Sequence, residues 1–276
     1  MRRLLFVLLA MSLPVLAGCE SPAFKAERKM YRANRLAAAI FENPKSTPPG
    51  QFEAAIAAYR KIAEEYPGTV LEVQAQFGIG HLYLAAGDFD KARAQYKLLA
   101  TDCDKRGNLC AEAYFAIGNA YELQQDWPQA EGAYLYAMDT FPLSTKGLDL
   151  PLYIIRHYRR EKASAKKIDA AVDQAVAHYT GLKPEAESEK VSFVLQGLVA
   201  RSYMEGGRWL DAIDSLDKLA RDYPDHHPEE SLWVESLIYA SKLKDKEKAK
   251  ERLRKIVSDY PKSQLAQKAT AVIGRL

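Results

Sequence analysis

From about residue 24 onward, apolar residues return every three or four positions along the chain. In residues 51–67, one set falls on a single helical face: Ala55, Ile56, Tyr59, Ile62 and Ala63. Ala, Leu, Lys, Glu, Gln and Tyr dominate these stretches, and runs of β-branched residues are few. The pattern predicts an all-α protein.

Pairs of an aromatic residue and proline interrupt this helical pattern at intervals. They are Tyr66-Pro67, Phe141-Pro142, Tyr223-Pro224 and Tyr260-Pro261. Proline cannot continue a helix and disfavours the helical conformation of the residue before it, so each pair predicts a helix end. Regular punctuation of this kind indicates repeated helical hairpins.

The clearest repeat unit runs from Glu112 to Pro142. It carries Tyr114, Ile117, Gly118, Tyr121, Ala130, Tyr134, Ala137 and Pro142. This spacing resembles the tetratricopeptide repeat, a helical hairpin of about 34 residues. The small Gly118 and Ala130 are expected where the two helices cross, and Asp126 is expected to cap the second helix.

Related copies extend the resemblance over most of residues 24–276. The small residue at the helix crossing recurs as Ala55, Ala92, Ala130, Ala212 and Ala249. The resemblance implies a tetratricopeptide-type solenoid, a right-handed superhelix of about six hairpins ending in a capping helix from Ser263 to about Ile273. The first helix is predicted over Phe24–Phe41, and residues 143–190 form an irregular section.

Two helices are predicted inside the irregular section. They span Pro151–Arg160 and Ala165–Thr180, and together they form a degenerate repeat.

The first residues indicate export and lipidation. Met1-Arg2-Arg3 precedes an apolar run from Leu4 to Leu16, which is too short to span a bilayer as a helix. The sequence Leu16-Ala17-Gly18-Cys19 resembles the lipobox of bacterial lipoproteins. The resemblance implies a signal peptide over residues 1–18, acyl chains (palmitate among them) on Cys19 and a tether over 19–23. The alternative is an ordinary signal peptide that contains a cysteine.

In that family, Glu20 after the cysteine favours the outer membrane over the inner membrane, which stays the alternative. Among the 276 residues, the formal net charge is +3, and it falls to +1 when residues 1–18 are removed with Arg2 and Arg3. Such a balance gives little attraction for phosphates, so nucleic acid is not expected as a partner.

The other two cysteines are Cys103 and Cys110, separated by a polar segment that contains Gly107. In an exported protein, we expect them to form a disulfide across a polar turn. Two free thiols or a metal pair are the alternatives, and the segment between them contains no His.

The sequence shows little sign of catalytic chemistry. It contains no HExxH motif, no glycine-rich phosphate loop and no GxSxG elbow. The adjacent His226 and His227 cannot share a helix face, and no Cys or carboxylate pattern completes a metal site around them. Lys242–Lys255 alternates with acids and predicts a solvated, salt-bridged face. We therefore expect no enzyme activity, no cofactor and no bound metal.

A binding groove is the expected functional feature, because the first helix of each tetratricopeptide hairpin lines the concave side. The matching positions are Phe77, His81, Leu84, Phe115, Asn119, Glu122, Arg201 and Met204. An extended peptide or a partner helix would suit this groove. The alternative is that these aromatic residues belong to the packing between repeats.

The lipobox, size, repeats and Tyr-Pro junctions resemble the BamD-type lipoproteins of the outer-membrane β-barrel assembly machinery. The resemblance implies a lipid-anchored scaffold that binds other proteins of the cell envelope at the periplasmic face of the outer membrane. Pilus-secretin pilotins share the same layout. Two further classes remain as alternatives: an accessory protein for a small ligand or a transporter, and a cell-wall enzyme, for which no separate catalytic domain is left.

Overall fold

The computed structural model describes residues 21–101, 103–183 and 188–276, apart from the side chains at 104 and 105. Over these residues it contains thirteen α-helices and no β-strand. The helices are α1 Pro22–Glu42, α2 Pro49–Glu65, α3 Val70–Ala86, α4 Phe89–Leu99, α5 Cys103–Leu123, α6 Trp127–Thr140, α7 Thr145–Arg160, α8 Ala165–Leu182, α9 Glu189–Gly206, α10 Trp209–Asp222, α11 Pro228–Ile238, α12 Lys246–Asp259 and α13 Gln264–Ile273. A π-helical turn, Tyr239–Leu243, follows α11.

The order of helix contacts is that of a solenoid of hairpins. From α5 to α13, each helix packs on the next one along the chain. In addition, α5 packs on α7, α7 on α9, and α11 on α13, so neighbouring hairpins share a face. The expected all-α helical-hairpin solenoid, with a terminal capping helix, is confirmed.

The chain divides into two compact units, and the first ends at Gln95. Its described part packs α1 on α2, α2 on α3 and α1 on α3. The core includes the fully buried Ile40, Ile62 and Leu82. The Tyr59 hydroxyl donates a hydrogen bond of 2.8 Å to the side-chain oxygen of Asn34, so α2 is also held to α1 by a polar contact.

The second unit, residues 96–276, has its largest core between α5 and α9. Tyr134 and Tyr179 are completely buried there, together with Ile155 and Leu195. Two further apolar clusters follow, one around Leu216 and Tyr239 and another around residues 253–269. Because each cluster spans adjacent hairpins, each hairpin depends on its neighbours for burial.

The helix ends lie where the aromatic-proline pairs predict them. Tyr66, Phe141, Tyr223 and Tyr260 are the C-terminal capping residues of α2, α6, α10 and α12. Two other helices end at Gly87 and Gly207, whose φ angles of 80° and 81° favour glycine. The predicted cap Asp126 accepts a hydrogen bond from the backbone N–H of Gln129.

The irregular section contains a longer helix than the sequence predicts. Helix α7 begins at Thr145, not at Pro151, and the Ser144 hydroxyl caps it by accepting from the Gly147 N–H at 2.9 Å. Pro151 lies buried inside the helix. Proline offers no N–H to the Gly147 carbonyl four residues earlier, and His178 of α8 makes a hydrogen bond to the Gly147 backbone. The neighbouring Tyr179 hydroxyl donates to the Leu148 carbonyl at 2.6 Å. Packing by α8 therefore supports a helix that the proline rule predicted to be shorter.

Cys103 and Cys110 are joined by a disulfide. The segment between them is not the expected turn, because it forms the first part of α5, with non-helical backbone angles at Arg106. Residues seven apart in a straight helix lie about 10 Å from each other. The kink brings their Cα atoms to 5.8 Å, within the range that a disulfide requires.

One side chain departs from the predicted solvated face of α12. The Arg252 Nε lies 2.7 Å from an oxygen of Glu235, which is completely buried on α11. Burial and the charge of Asp217 raise the pKa of Glu235 to about 8, although the Arg252 charge opposes them. The ion pair between Lys248 and Asp245 is more exposed, as expected for this face.

The crossing of α5 and α6 gives a matched pair of glycine tests. A Cβ on Gly118 would lie 2.3 Å from the buried ring of Tyr134, whereas a Cβ on Gly132 meets nothing within 4 Å. We expect Gly118→Ala to lower the free energy of unfolding by about 1–3 kcal/mol. Gly132→Ala should raise the free energy of unfolding by about 0.5–1 kcal/mol, because alanine favours the helix more than glycine does and its methyl group meets no obstacle. Urea unfolding of both variants checks this, and equal signs would contradict it.

The disulfide gives a second prediction. The oxidised protein, denatured without reductant, should show no reactive thiol from Cys103 or Cys110, and reduction should release two. The double variant Cys103→Ser, Cys110→Ser should lose about 2–3 kcal/mol of stability, because the unfolded chain is then less constrained. Alkylation followed by mass spectrometry counts the thiols. Two free thiols before reduction would exclude the bond.

Candidate interaction site

The Glu122 carboxylate, near the C-terminal end of α5, joins three helices. One of its oxygens accepts hydrogen bonds from the hydroxyls of Tyr134 on α6, at 2.9 Å, and Tyr153 on α7, at 2.6 Å. The other oxygen lies 3.1 Å from an Nη of Arg160 and 3.4 Å from Nδ1 of His157. Four polar groups thus surround the two carboxylate oxygens, and together they hold the Glu122 side chain in place.

The protonation of this group follows from its surroundings. Burial alone would raise the pKa of Glu122, but the Tyr153 and Tyr134 hydroxyls and the charges of His157 and Arg160 lower it overall. Burial lowers the pKa of His157, although Glu122 opposes that change. Glu122 is therefore ionised at neutral pH, and the neutral form of His157 is favoured.

Aromatic rings surround this carboxylate. The Trp127 ring stacks on His157 with an interplanar angle of 6°. The indole N–H donates to the Tyr158 hydroxyl at 3.2 Å, and that hydroxyl donates to Glu131. A cleft of about 570 Å³ opens beside these rings. Its lining includes Glu122, Trp127, His157, Tyr158, Arg160 and Lys167.

A cluster of arginines continues the surface from α7 to α9. The Glu205 carboxylate lies 3.3 Å from Nη1 of Arg156 and 4.0 Å from Nε of Arg201. Arg159 donates to the backbone carbonyl of the same residue at 2.7 Å. Three exposed guanidinium groups therefore contact one glutamate, two at its carboxylate and one at its backbone carbonyl, and the local charge is positive. We call Arg156, Arg159 and Arg201 the arginine cluster.

The predicted groove residues of the second unit fall into different environments. Phe115 packs at 5.6 Å from the Tyr134 ring and 6.1 Å from the Tyr153 ring, and the Lys146 ammonium lies over it. Phe115 thus takes part in the packing between hairpins. Met204 also packs on an apolar cluster. Glu122 and Arg201 form polar contacts, and Asn119 is half-buried on α5 between Phe115 and Glu122.

The other predicted groove residues belong to the first unit. Phe77 and His81 lie on α3 with ring centroids 6.2 Å apart. Leu84, on the same helix, lines a cavity of about 810 Å³ with Phe52, Ile56 and Tyr83. Exposed Lys45 and Lys91 line the same cavity, so it opens to solvent.

Helix α7 contributes three residues to the site that the sequence did not predict. Tyr153, His157 and Arg160 all contact Glu122, yet none was a predicted site residue. Their spacing of four and three residues is that of one helical face. The predicted helix Pro151–Arg160 contains all three residues, but the irregular section carries no repeat motif that would relate them to Glu122.

His226, one of the two adjacent histidines, contacts two side chains of α9. It stacks on Phe193 at 4.6 Å and lies 3.3 Å from a Glu189 oxygen.

Across residues 21–101, 103–183 and 188–276, no group of His, Cys, Asp or Glu side chains is arranged to hold a metal ion. Within the same ranges, none of the helices has the length and apolar character to cross a membrane. Cys19 and the predicted signal peptide lie outside the described residues.

The Glu122 contacts give a third prediction. At pH 7, Glu122→Gln should lower the free energy of unfolding by about 1–3 kcal/mol, because a charged acceptor of several hydrogen bonds is lost. The lowered pKa means that this stabilisation is present above the ordinary carboxyl pKa and is lost as pH falls through the folded-state value. The difference between variant and parent should therefore shrink in acid.

Urea unfolding at neutral and acidic pH measures this difference. Glu64→Gln is the control, because Glu64 is an exposed carboxylate on α2. It should change stability by less than about 0.5 kcal/mol at either pH. An effect of Glu122→Gln that does not depend on pH would contradict the assignment.

Comparison with known proteins supports the repeat pattern. Sequence profiles described as tetratricopeptide repeat match residues 77–144, residues 49–102, and two stretches at 198–226 and 232–263. Together these matches cover hairpins in both units. A search of curated protein sequences found no match.

A search of solved structures also returned matches at low sequence identity. BtubC (BKLC) from P. vanneervenii is 17% identical, over 71% of this chain and 90% of that one, with a TM-score of 0.37. A putative kinesin light chain of nearly identical TPR-like repeats from Podosopora anserina is 13% identical, over 74% and 97%, with a TM-score of 0.38. The TPR domain of P58(IPK) is 14% identical, over 92% and 67%, with a TM-score of 0.28.

Proposed function

Because this chain is a tetratricopeptide-repeat protein, we propose that it is a scaffold of the bacterial cell envelope, held to a membrane by lipid on Cys19 and binding partner proteins through α5, α7 and α9. Tetratricopeptide domains generally mediate contacts between proteins. Their stacked hairpins offer extended surfaces for a peptide or a helix.

The observation that carries the proposal is the surface built from the Glu122 cleft and the arginine cluster. It combines the half-buried Trp127 with the exposed Arg156, Arg160 and Arg201. Tryptophan, tyrosine and arginine are the residue types most enriched among binding hot spots, the few interface residues that carry most of the binding energy. The excess of guanidinium groups favours an acidic partner segment.

The membrane part of the proposal depends on Leu16-Ala17-Gly18-Cys19. A cysteine with several acyl chains would give stable anchoring, since each buried CH2 contributes about 0.8 kcal/mol. Glu20 favours the outer membrane, and the inner membrane is the alternative. The expected partners are therefore proteins of the cell envelope. Outer-membrane assembly proteins are the leading candidates, and pilus secretins come next.

The scaffold in this proposal is not an enzyme and uses no cofactor. Its polar groups are engaged with each other: Glu122 with two tyrosines and Arg160, and Glu205 with Arg156 and Arg201. Such saturated contacts suit a fixed binding surface better than proton transfer.

A small-ligand accessory role is the second candidate, favoured by one observation. The cavity of about 810 Å³ in the first unit has the apolar Phe52, Ile56, Tyr83 and Leu84 in its lining. Its opening to solvent makes it less suited to enclosing an apolar solute than a closed pocket would be.

Crosslinking in cells, followed by purification from membranes with the anchor intact, tests the scaffold proposal. Recovery of outer-membrane assembly proteins would support it. Recovery of pilus or transporter components would redirect it. Purification of the protein alone, with a small molecule bound, would favour the second candidate. Cys19→Ser should abolish incorporation of labelled palmitate, and a labelled variant would refute the anchor.

The interaction surface gives a fourth prediction. The double variant Arg156→Glu, Arg201→Glu should reduce the recovery of crosslinked partner at least tenfold, because both changes place negative charge opposite an acidic segment. Lys246→Glu with Arg254→Glu is the matched control, since it makes the same charge change at exposed positions of α12. Equal recovery by the two double variants would remove the arginine cluster from the interface.

A further inference from the structure

Helix α1 has two faces of different chemistry. Its inner face packs on the core of the first unit through a row of small and apolar residues. These buried positions are Ala26, Met30, Ala33, Ala37 and Ile40. The inner face is thus an ordinary helix interface.

The outer face carries aromatic and cationic residues in alternation. Phe24, Arg28, Tyr31 and Arg35 follow each other at steps of four, three and four residues, and they lie directly opposite the buried row. Phe24 is 52% exposed and Tyr31 is 66% exposed. We call these four residues the α1 outer stripe.

The charge of α1 is strongly positive. Lys25 and Arg32 are exposed beside the stripe, whereas Glu27 and Glu42 are the acids of the helix. Lys29 lies nearer to α2, where it pairs with Glu65. The net cation excess is therefore on the outer side of the helix.

We propose that the α1 outer stripe lies on a membrane surface that contains anionic lipids. Lysine and arginine near such a surface are attracted to the headgroups, by about a factor of five in binding for each cation. Aromatic side chains favour the interface between headgroups and acyl chains. The stripe therefore offers cations for the headgroups and aromatic rings for the boundary between headgroups and acyl chains.

The position of α1 in the chain supports this occupant and rests on the proposed lipidation of Cys19. Pro22 begins the helix only three residues after that cysteine, and an extended chain covers at most about 3.6 Å per residue. The start of α1 is therefore held within about 11 Å of the lipid attachment point.

Charge disfavours a second copy of this chain as the occupant. A symmetric contact places the same patch of both copies face to face. Arg28 and Arg35 of one copy would then meet the cations of the other, with few acids to compensate.

The test uses the whole mature chain, residues 19–276, with Cys19→Ser so that no lipid anchors it. Vesicles with about 30% phosphatidylglycerol in phosphatidylcholine should bind it in co-sedimentation, and pure phosphatidylcholine vesicles should bind it much less. Raising salt from about 0.1 M to about 0.5 M should release it, because screening weakens the attraction.

Substitutions assign the binding to the stripe. Arg28→Gln with Arg35→Gln should lower the partition coefficient on anionic vesicles by about twentyfold to thirtyfold. Phe24→Gln with Tyr31→Gln should also weaken binding while leaving its salt dependence unchanged. Lys246→Gln with Arg254→Gln, which changes the net charge equally on α12, should bind as the parent does.

Three results would overturn the inference: no preference for anionic vesicles, equal binding by the stripe variants and the control, or self-association in ultracentrifugation that the arginine variant abolishes. The outcome is separable from the anchor proposal. If Cys19 is labelled by palmitate but the unlipidated chain ignores anionic vesicles, this inference alone fails. If Cys19 is not labelled but vesicle binding follows the stripe, the anchor alone fails.

Discussion

The fit of Tyr134 against Gly118 is the contact on which the interaction site depends. The ring occupies the space that any Cβ at position 118 would enter, so α5 and α6 approach closely enough to enclose it. The hydroxyl of the enclosed ring donates to Glu122, and Glu122 in turn binds Tyr153 and Arg160 of α7. One small residue thus sets the place of a carboxylate that links two hairpins, because a buried ring has few other positions available.

The half-buried Glu122 and the fully buried Glu235 show how surroundings decide the charge of a carboxylate. Glu122 accepts two hydroxyls and faces Arg160, and its pKa is lowered. Glu235 is fully enclosed and lies near the like charge of Asp217, so its pKa is raised to about 8 in spite of Arg252. Hydrogen-bond donors around the ionised form therefore matter as much as a single opposite charge. The first carboxylate organises a surface, whereas the second lies inside a hairpin.

The near-neutral total charge conceals two cationic surfaces, each within its own unit. The arginine cluster on α7 and α9 surrounds one glutamate, and the α1 outer stripe alternates arginines with exposed aromatic rings. Their chemistry differs, since the cluster is polar and adjoins a cleft, while the stripe has the amphipathic character of an interfacial helix. We propose accordingly that one surface receives an acidic protein segment and the other contacts lipid.

The sequence by itself determined the helices, their hairpin pairing and most of their ends. Period and punctuation are local properties, and residues such as Tyr66, Asp126 and Phe141 act within one turn of the positions they terminate or cap. Tertiary structure decided the rest. Packing by α8 let α7 continue through Pro151, and a kink at Arg106 brought two cysteines together inside a helix. The partners of Glu122 come from residues up to 38 positions away, so no local pattern could assign them. Phe115, equally apolar in either role, was placed in the packing between hairpins only by the rings that surround it.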